Sequence, residues 1–283
     1  MDGSAKMIDF AEPAPGRAAG TSDQAWRDIV GGLLRFKLWG RLGWLDIKRR
    51  YQRTLFGPFW STCTLALYVL AVGTVGAGLF KQDARTYLPY LASGMIVWTM
   101  VSTILIESCA LFVQGSSLMR NVKFEYSVLA YALVWRNFVL FLHNAIVFLV
   151  VAVFLKREVF DKSLLLVLPG ILIVLINGVW IALLAGILCL RFRDLQPLMQ
   201  TIVQISMLVT PVFWTPESLT GTLRLFFAQL NPIYRLIDIV RAPLLGQVPT
   251  LASYIGVIAI TIGGWLVTYA TFKYFRKRIP YWS

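Results

Sequence analysis

Two ionisable side chains stand inside apolar stretches of this sequence: Glu107 in Val-Ser-Thr-Ile-Leu-Ile-Glu-Ser and Arg136 in Ala-Leu-Val-Trp-Arg-Asn-Phe-Val. A charge without a partner in such surroundings costs several kcal/mol, so the two are expected to pair or to line a wet vestibule. A structural pair is the preferred reading, and a proton relay is the alternative. His143, the one histidine, lies beside Asn144 in the same apolar run as Arg136 and reads as a hydrogen-bonding residue between helices. Cys63, Cys109 and Cys189 also sit in apolar runs without ligand-like spacing, so neither a disulfide framework nor a metal site is indicated. No Gly is followed by Lys anywhere, which excludes a Walker A loop in this chain.

Two polar stripes carry the remaining chemistry. At helical spacing Gly57, Ser61, Thr64, Tyr68, Ala71, Val75 and Gly78 share one face of one run, and Gln196, Gln200, Gln204 and Pro211 nearly share a face of another. Close helix packing by small residues explains them as well as a cavity does. If they line a cavity, the amides of Gln200 and Gln204 and the rings of Trp60, Tyr68, Trp98, Phe213 and Trp214 suit a sugar chain. Amides bond hydroxyls, and aromatic faces stack on the apolar faces of pyranoses. A cation pathway would want carboxylates, and few are available.

These residues must be positioned in a bilayer. Of 283 residues, 58% are hydrophobic and only 14% charged, and the mean hydropathy is +0.68, values expected of an all-α polytopic membrane protein. Six runs are long enough to cross the hydrocarbon: 59–80, 88–113, 128–155, 164–190, 198–214 and 251–272, the fifth being short. On these boundaries Glu107 and Arg136 both lie ~10 Å inside the membrane. The net charge of +13 does not point to nucleic acid, because the basic residues collect at the ends of apolar runs. Lys and Arg of the N-terminal region, with Arg120, Lys123, Arg191, Arg193, Lys273, Arg276, Lys277 and Arg278, outnumber those of the alternate connections. Both termini are therefore expected in the cytoplasm.

Flanking the transmembrane region 58–274, residues 1–24 read as a disordered cytoplasmic tail, 25–57 as amphipathic interface helices and 275–283 as a cytoplasmic tail. In the interface region Trp44, Ile47, Tyr51 and Leu55 form one face, opposite Asp46, Arg49, Arg50 and Arg53. Between the last two runs, the segment 215–246 is too apolar for an ordinary loop. It is expected to form an outer gate hairpin, embedded against protein and broken at Asn231-Pro232.

The stretch Arg50-Tyr51-Gln52-Arg53-Thr54-Leu55-Phe56-Gly57-Pro58-Phe59-Trp60 resembles the signature of permease subunits of ATP-binding-cassette polysaccharide exporters, which carry O-antigen, capsule or teichoic acid. The resemblance continues through Asn121-Val122-Lys123-Phe124, Arg191-Phe192-Arg193-Asp194, Pro211-Val212-Phe213-Trp214, Asn231-Pro232 and Tyr274-Phe275-Arg276-Lys277-Arg278-Ile279-Pro280. It implies a homodimer of six-span chains in a bacterial inner membrane, working with two copies of an ATPase subunit that binds ATP and Mg. This chain itself would hold no cofactor.

By that resemblance residues 118–126 form a coupling helix seated in the ATPase, where Arg120, Lys123 and Glu125 make charged contacts and Met119, Val122 and Phe124 fill a groove. The first and fifth runs border the translocation channel. The substrate is a lipid-linked polysaccharide, whose diphosphate Arg49, Arg50 and Arg53 are placed to meet, although plain attraction to membrane lipids explains those arginines too. An exporter of a small lipid or drug is the nearest alternative function, and a proton-driven secondary carrier a more distant one.

Overall fold

The computed structural model describes residues 21–155, 162–218 and 220–282. The described chain is helical: α1 Thr21–Leu34, α2 Phe36–Arg50, α3 Phe59–Leu79, α4 Ala84–Ser108, α5 Leu111–Gln114, α6 Ser116–Asn121, α7 Ser127–Leu155, α8 Val167–Arg191, α9 Leu195–Val209, α10 Gly221–Arg224, α11 Pro232–Leu244, α12 Leu251–Phe275 and α13 Ile279–Trp282. Five helical stretches are long and apolar enough to cross a membrane: α3, α4, α7, α8 with the turn before it, and α12 with the turns after it. The protein is a multi-pass membrane protein. α4 has the largest buried share of the five, and α3, α7, α8, α9 and α11 all pack on it.

Helix ends follow local chemistry. Asp83 caps α4 by accepting from Arg85 N at 3.0 Å, and Thr250 caps α12 by accepting from Ser253 N at 3.2 Å. Asn231 caps α11, accepting from Ile233 N and Tyr234 N at 3.0 and 3.2 Å, with Pro232 in the first helical position where its missing N–H costs nothing. Glycine lets two helix pairs close on each other. A Cβ on Gly43 of α2 would lie 2.8 Å from the Ala132 carbonyl of α7, and one on Gly170 of α8 would lie 2.6 Å from the Ile239 carbonyl of α11.

Several expected boundaries move. Of the expected tail 1–24 only the last four residues are described, and they already belong to α1. The interface helix stops at Arg50, where Lys48, Arg49 and Arg50 complement the C-terminal end of the helix dipole. Residues 51–58 then turn, with left-handed backbone at Arg53 and Gly57 (φ 66° and 54°). The stripe therefore does not continue to Leu55, which is 94% exposed; Ile47 is buried against the bundle while Trp44 faces outward.

The second span ends at Ser108 rather than 113. The chain bends at Cys109-Ala110, and Leu111 and Phe112 are buried from the short α5, Phe112 packing under Gly186 of α8. The fifth run is helical only over Leu195–Val209, ~22 Å at 1.5 Å per residue and shorter than the ~30 Å hydrocarbon layer. The expected coupling helix is helical only over Ser116–Asn121, and Val122 is already extended. The expected C-terminal tail turns back: Ile279 is buried, and Trp282 packs on Phe275 with ring centroids 5.5 Å apart.

Candidate functional site

At one end of the bundle, α2, α4 and α7 are joined by charges. Glu107 is the penultimate residue of α4, immediately before the bend at Cys109-Ala110, so it sits at the end of the span rather than deep within it. Its two oxygens are shared: Arg50 Nη2 donates to Oε1 at 2.5 Å, while Arg136 Nη2 at 2.5 Å and Asn137 Nδ2 at 3.0 Å donate to Oε2. Arg136 Nη1 donates to Asp46 Oδ2 at 3.0 Å. Two carboxylates thus hold a guanidinium that is 7% exposed, and each closes a different helix pair. Asp46 and Arg50, both on the expected solvent face of α2, face α7 and α4 instead. Of the three arginines expected to meet a diphosphate, Arg50 is paired with Glu107, while Arg49 and Arg53 are exposed.

Beside this network runs the segment from α6 to the start of α7. Arg120, Val122 and Lys123 are exposed on it, whereas Met119 and Phe124 pack against the core. Glu125 forms an ion pair with Arg35, between α1 and α2, at 2.7 Å. Asp28 of α1, its side chain fully buried, accepts from Ser127 N at 3.0 Å and Tyr126 N at 3.3 Å and so caps α7. Arg276 Nε donates to the same carboxylate at 2.7 Å, and its guanidinium lies 5.3 Å from the Tyr126 ring centroid. Burial raises the Tyr126 hydroxyl above its ordinary pKa, and Arg276 draws it partly back. The exposed side chains of 119–123 are thus carried on a segment fixed to α1, α7 and the end of α12.

The opposite end is held differently. Residues 210–214 leave helical geometry, and side chains satisfy their carbonyls. Arg241 of α11, 2% exposed, donates to Pro211 O at 2.7 Å. Tyr87 donates to Phe213 O at 2.6 Å, Tyr90 to Trp214 O at 3.1 Å, and Asn231 Nδ2 to Thr210 Oγ1 at 3.0 Å. The Arg241 guanidinium lies 4.2 Å from the Tyr90 ring centroid and 5.3 Å from that of Tyr234. Irregular backbone in an apolar setting survives only when its polar groups are satisfied, and these residues do that. None of Tyr87, Tyr90 and Arg241 stood out in the sequence; an arginine followed by Ala-Pro in an apolar segment was the one available signal.

The expected channel residues divide. Trp60, Thr64 and Tyr68 on α3 and Gln196, Gln200 and Gln204 on α9 are exposed, and both helices pack on α4, which leaves Thr99, Ser102 and Thr103 half-buried. Phe213 and Trp214 are half-buried in the pinned segment. Ser61 leans toward α7, where its hydroxyl bonds Asn144 Oδ1 at 3.3 Å. Trp98 does not join the open face: at 5% exposure it belongs to the core of α4, because it falls among buried neighbours on that helix. His143 hydrogen-bonds Val139 O of its own helix at 2.8 Å and meets α3 through an edge contact with Phe59. Cys109 and Cys189 are buried and Cys63 is exposed, all as free thiols. Among the described residues no group of three or more His, Cys, Asp or Glu is placed to hold a metal.

A family model described as ABC-2 type transporter matches residues 37–245. The chain belongs to that family. The match begins in α2 and ends just past α11, so it takes in the charge network, the segment after α6 and the pinned carbonyls. As an ABC-2 membrane domain the protein is a permease component of a transporter, of the kind that works with ATP-binding-cassette ATPase partners. A search of curated proteins finds no match to the chain.

Proposed function

We propose that this ABC-2 permease exports a lipid-linked polysaccharide across the inner membrane, as a homodimer driven by ATP hydrolysis in two partner subunits. The observation that carries this reading is the pair of open faces on α3 and α9. There Thr64, Tyr68, Gln200 and Gln204, with Trp60 at the rim, remain outside the core on two helices packed on α4. A second copy placed across these faces encloses a passage lined by hydroxyls, amides and rings, the chemistry that slides along a glycan without holding it. Arg53, exposed in the turn before α3, is then an arginine free to meet the lipid diphosphate. Arg120, Val122 and Lys123 present the contact to the ATPase, while Met119, Phe124 and Glu125 brace that segment from behind.

The test is export itself. Cells carrying Gln200→Leu/Gln204→Leu should keep the protein in the membrane and its ATPase partner bound, yet lose most surface glycan. A chain whose removal leaves surface glycan intact while lipid or drug efflux falls would overturn the polysaccharide reading. Co-purification of an ATPase, reduced by Val122→Asp, tests the partner separately.

A further inference from the structure

Between α2, the α5–α6 segment and α7 lies a cavity of about 330 Å³, lined on its polar side by Asp46, Arg49, Arg136, Gln114, Ser117 and Asn121. Arg136 is the telling member. Its two terminal nitrogens are engaged by Asp46 and Glu107, but its Nε–H is buried without any partner. A buried donor left unsatisfied in a guanidinium whose two terminal nitrogens are each held by a carboxylate calls for an acceptor. Arg49, Gln114, Ser117 and Asn121 add donors whose side chains bond no other described residue. The local charge agrees: Arg49, Arg50 and Arg136 against Asp46 and Glu107 leave one positive charge uncompensated.

The other wall of the same cavity is apolar, formed by Leu118, Leu129 and Leu133. A free anion has no use for that wall, whereas an acidic phospholipid offers a singly charged phosphodiester beside a glycerol and acyl chains. We propose that this cavity binds the phosphate of one acidic phospholipid, which bridges Arg49 of α2 and Arg136 of α7 and rests on the α5–α6 segment. The lipid then ties the interface helix to the segment carrying residues 119–123, so acidic lipid content sets how firmly that segment is held. This site is independent of what the permease exports.

Full-length protein in detergent with phosphatidylglycerol, examined by native mass spectrometry, tests it. Wild type should retain one lipid per chain, and retain phosphatidylcholine less because its choline cancels the charge. Arg49→Gln should lower retention about tenfold, the loss of one charge-assisted contact. Ser117→Phe, which fills the cavity without changing charge, should lower it as well, and this exposed position keeps the test valid if the arginine variant fails to fold. Lys37→Gln, equal in charge loss but at the far end of α2 and outside the cavity, should leave retention unchanged. Equal losses in Lys37→Gln and Arg49→Gln would reduce the effect to general attraction and overturn the site. Displacement of the lipid by inorganic phosphate alone would assign the cavity to a soluble anion, and displacement by a lipid diphosphate to the exported substrate; either result overturns the phospholipid.

Discussion

The two ends of the bundle solve the same problem by opposite means. At the end where α2 meets α4 and α7, helices are joined by full charges, with Arg136 between Asp46 and Glu107. At the other end a buried arginine pairs with no carboxylate among the described residues: Arg241 bonds the carbonyl of Pro211 and stacks near Tyr90 and Tyr234. Charge pairs between helices are directional and costly to half-remove, so they fix which helices touch. Neutral bonds to carbonyls lock a particular backbone path, here the turn at 210–214, and each can be given up for a smaller cost. We therefore expect the end held by ion pairs to move as one piece and the end held by carbonyl bonds to change shape more readily.

The largest effect should come from halving the charge network. Arg136→Met leaves Glu107 and Asp46 without their shared partner and should destabilise the protein by about 3–5 kcal/mol, read as a loss of folded protein on thermal unfolding in detergent. Replacing Glu107 and Arg136 together by Leu and Met should recover much of that. Exchanging the two charges should not, because Arg50 would then face an arginine at 107 and Asp46 a glutamate at 136. Full recovery by the exchange would show that Asp46 and Arg50 are bystanders.

At the other end Arg241→Met should cost less, about 1–3 kcal/mol, the penalty of leaving the Pro211 carbonyl with only the long bond from the Tyr90 hydroxyl at 3.4 Å. Its signature should be local. Val212, fully buried in the wild type, should become reactive when replaced by cysteine and probed with a thiol reagent, while Cys109 at the charged end stays protected. Protection lost at both ends together would mean that the ends do not behave separately. Asn231→Ala removes the cap of α11 and the bond to Thr210 at once and should cost about 1 kcal/mol, measured in the same way.

Much of this architecture is legible in the sequence, because a run of twenty apolar residues has few alternatives in water or lipid. What escapes is where an apolar run stops being one helix. Cys109 to Val113 read as a continuation of the second span, yet they turn to bury Leu111 and Phe112 from a separate short helix, and hydropathy is the same either way. Glu107 and Arg136 stand out as charges in apolar surroundings, whereas Asp46 reads as a solvent-facing residue of an amphipathic helix. Its role depends on Gly43 letting α2 close on α7, a contact between distant segments. Arg241 is harder still, since its acceptors are a carbonyl and ring faces, which no pattern of residue types announces. Trp98 shows the converse: an aromatic suited to a sugar is equally suited to a core.

The smallest effect separates stability from coupling. Arg35 and Glu125 pair at 2.7 Å, but the arginine side chain is 49% exposed and the contact lacks hydrogen-bond alignment. An exposed pair of this kind contributes about 0–1 kcal/mol, so Arg35→Gln should scarcely change thermal unfolding. The pair nonetheless connects the junction of α1 and α2 to the segment that carries Arg120, Val122 and Lys123, and it stands beside the stronger contacts of Asp28 with Ser127 and Arg276. If the charged end moves as one piece, those contacts suffice, and Arg35→Gln should leave ATPase binding within about twofold, a few tenths of a kcal/mol on the tenfold-per-1.4 scale. A much larger loss of binding with unchanged unfolding would show instead that the segment pivots on Asp28 and that Arg35 sets its angle.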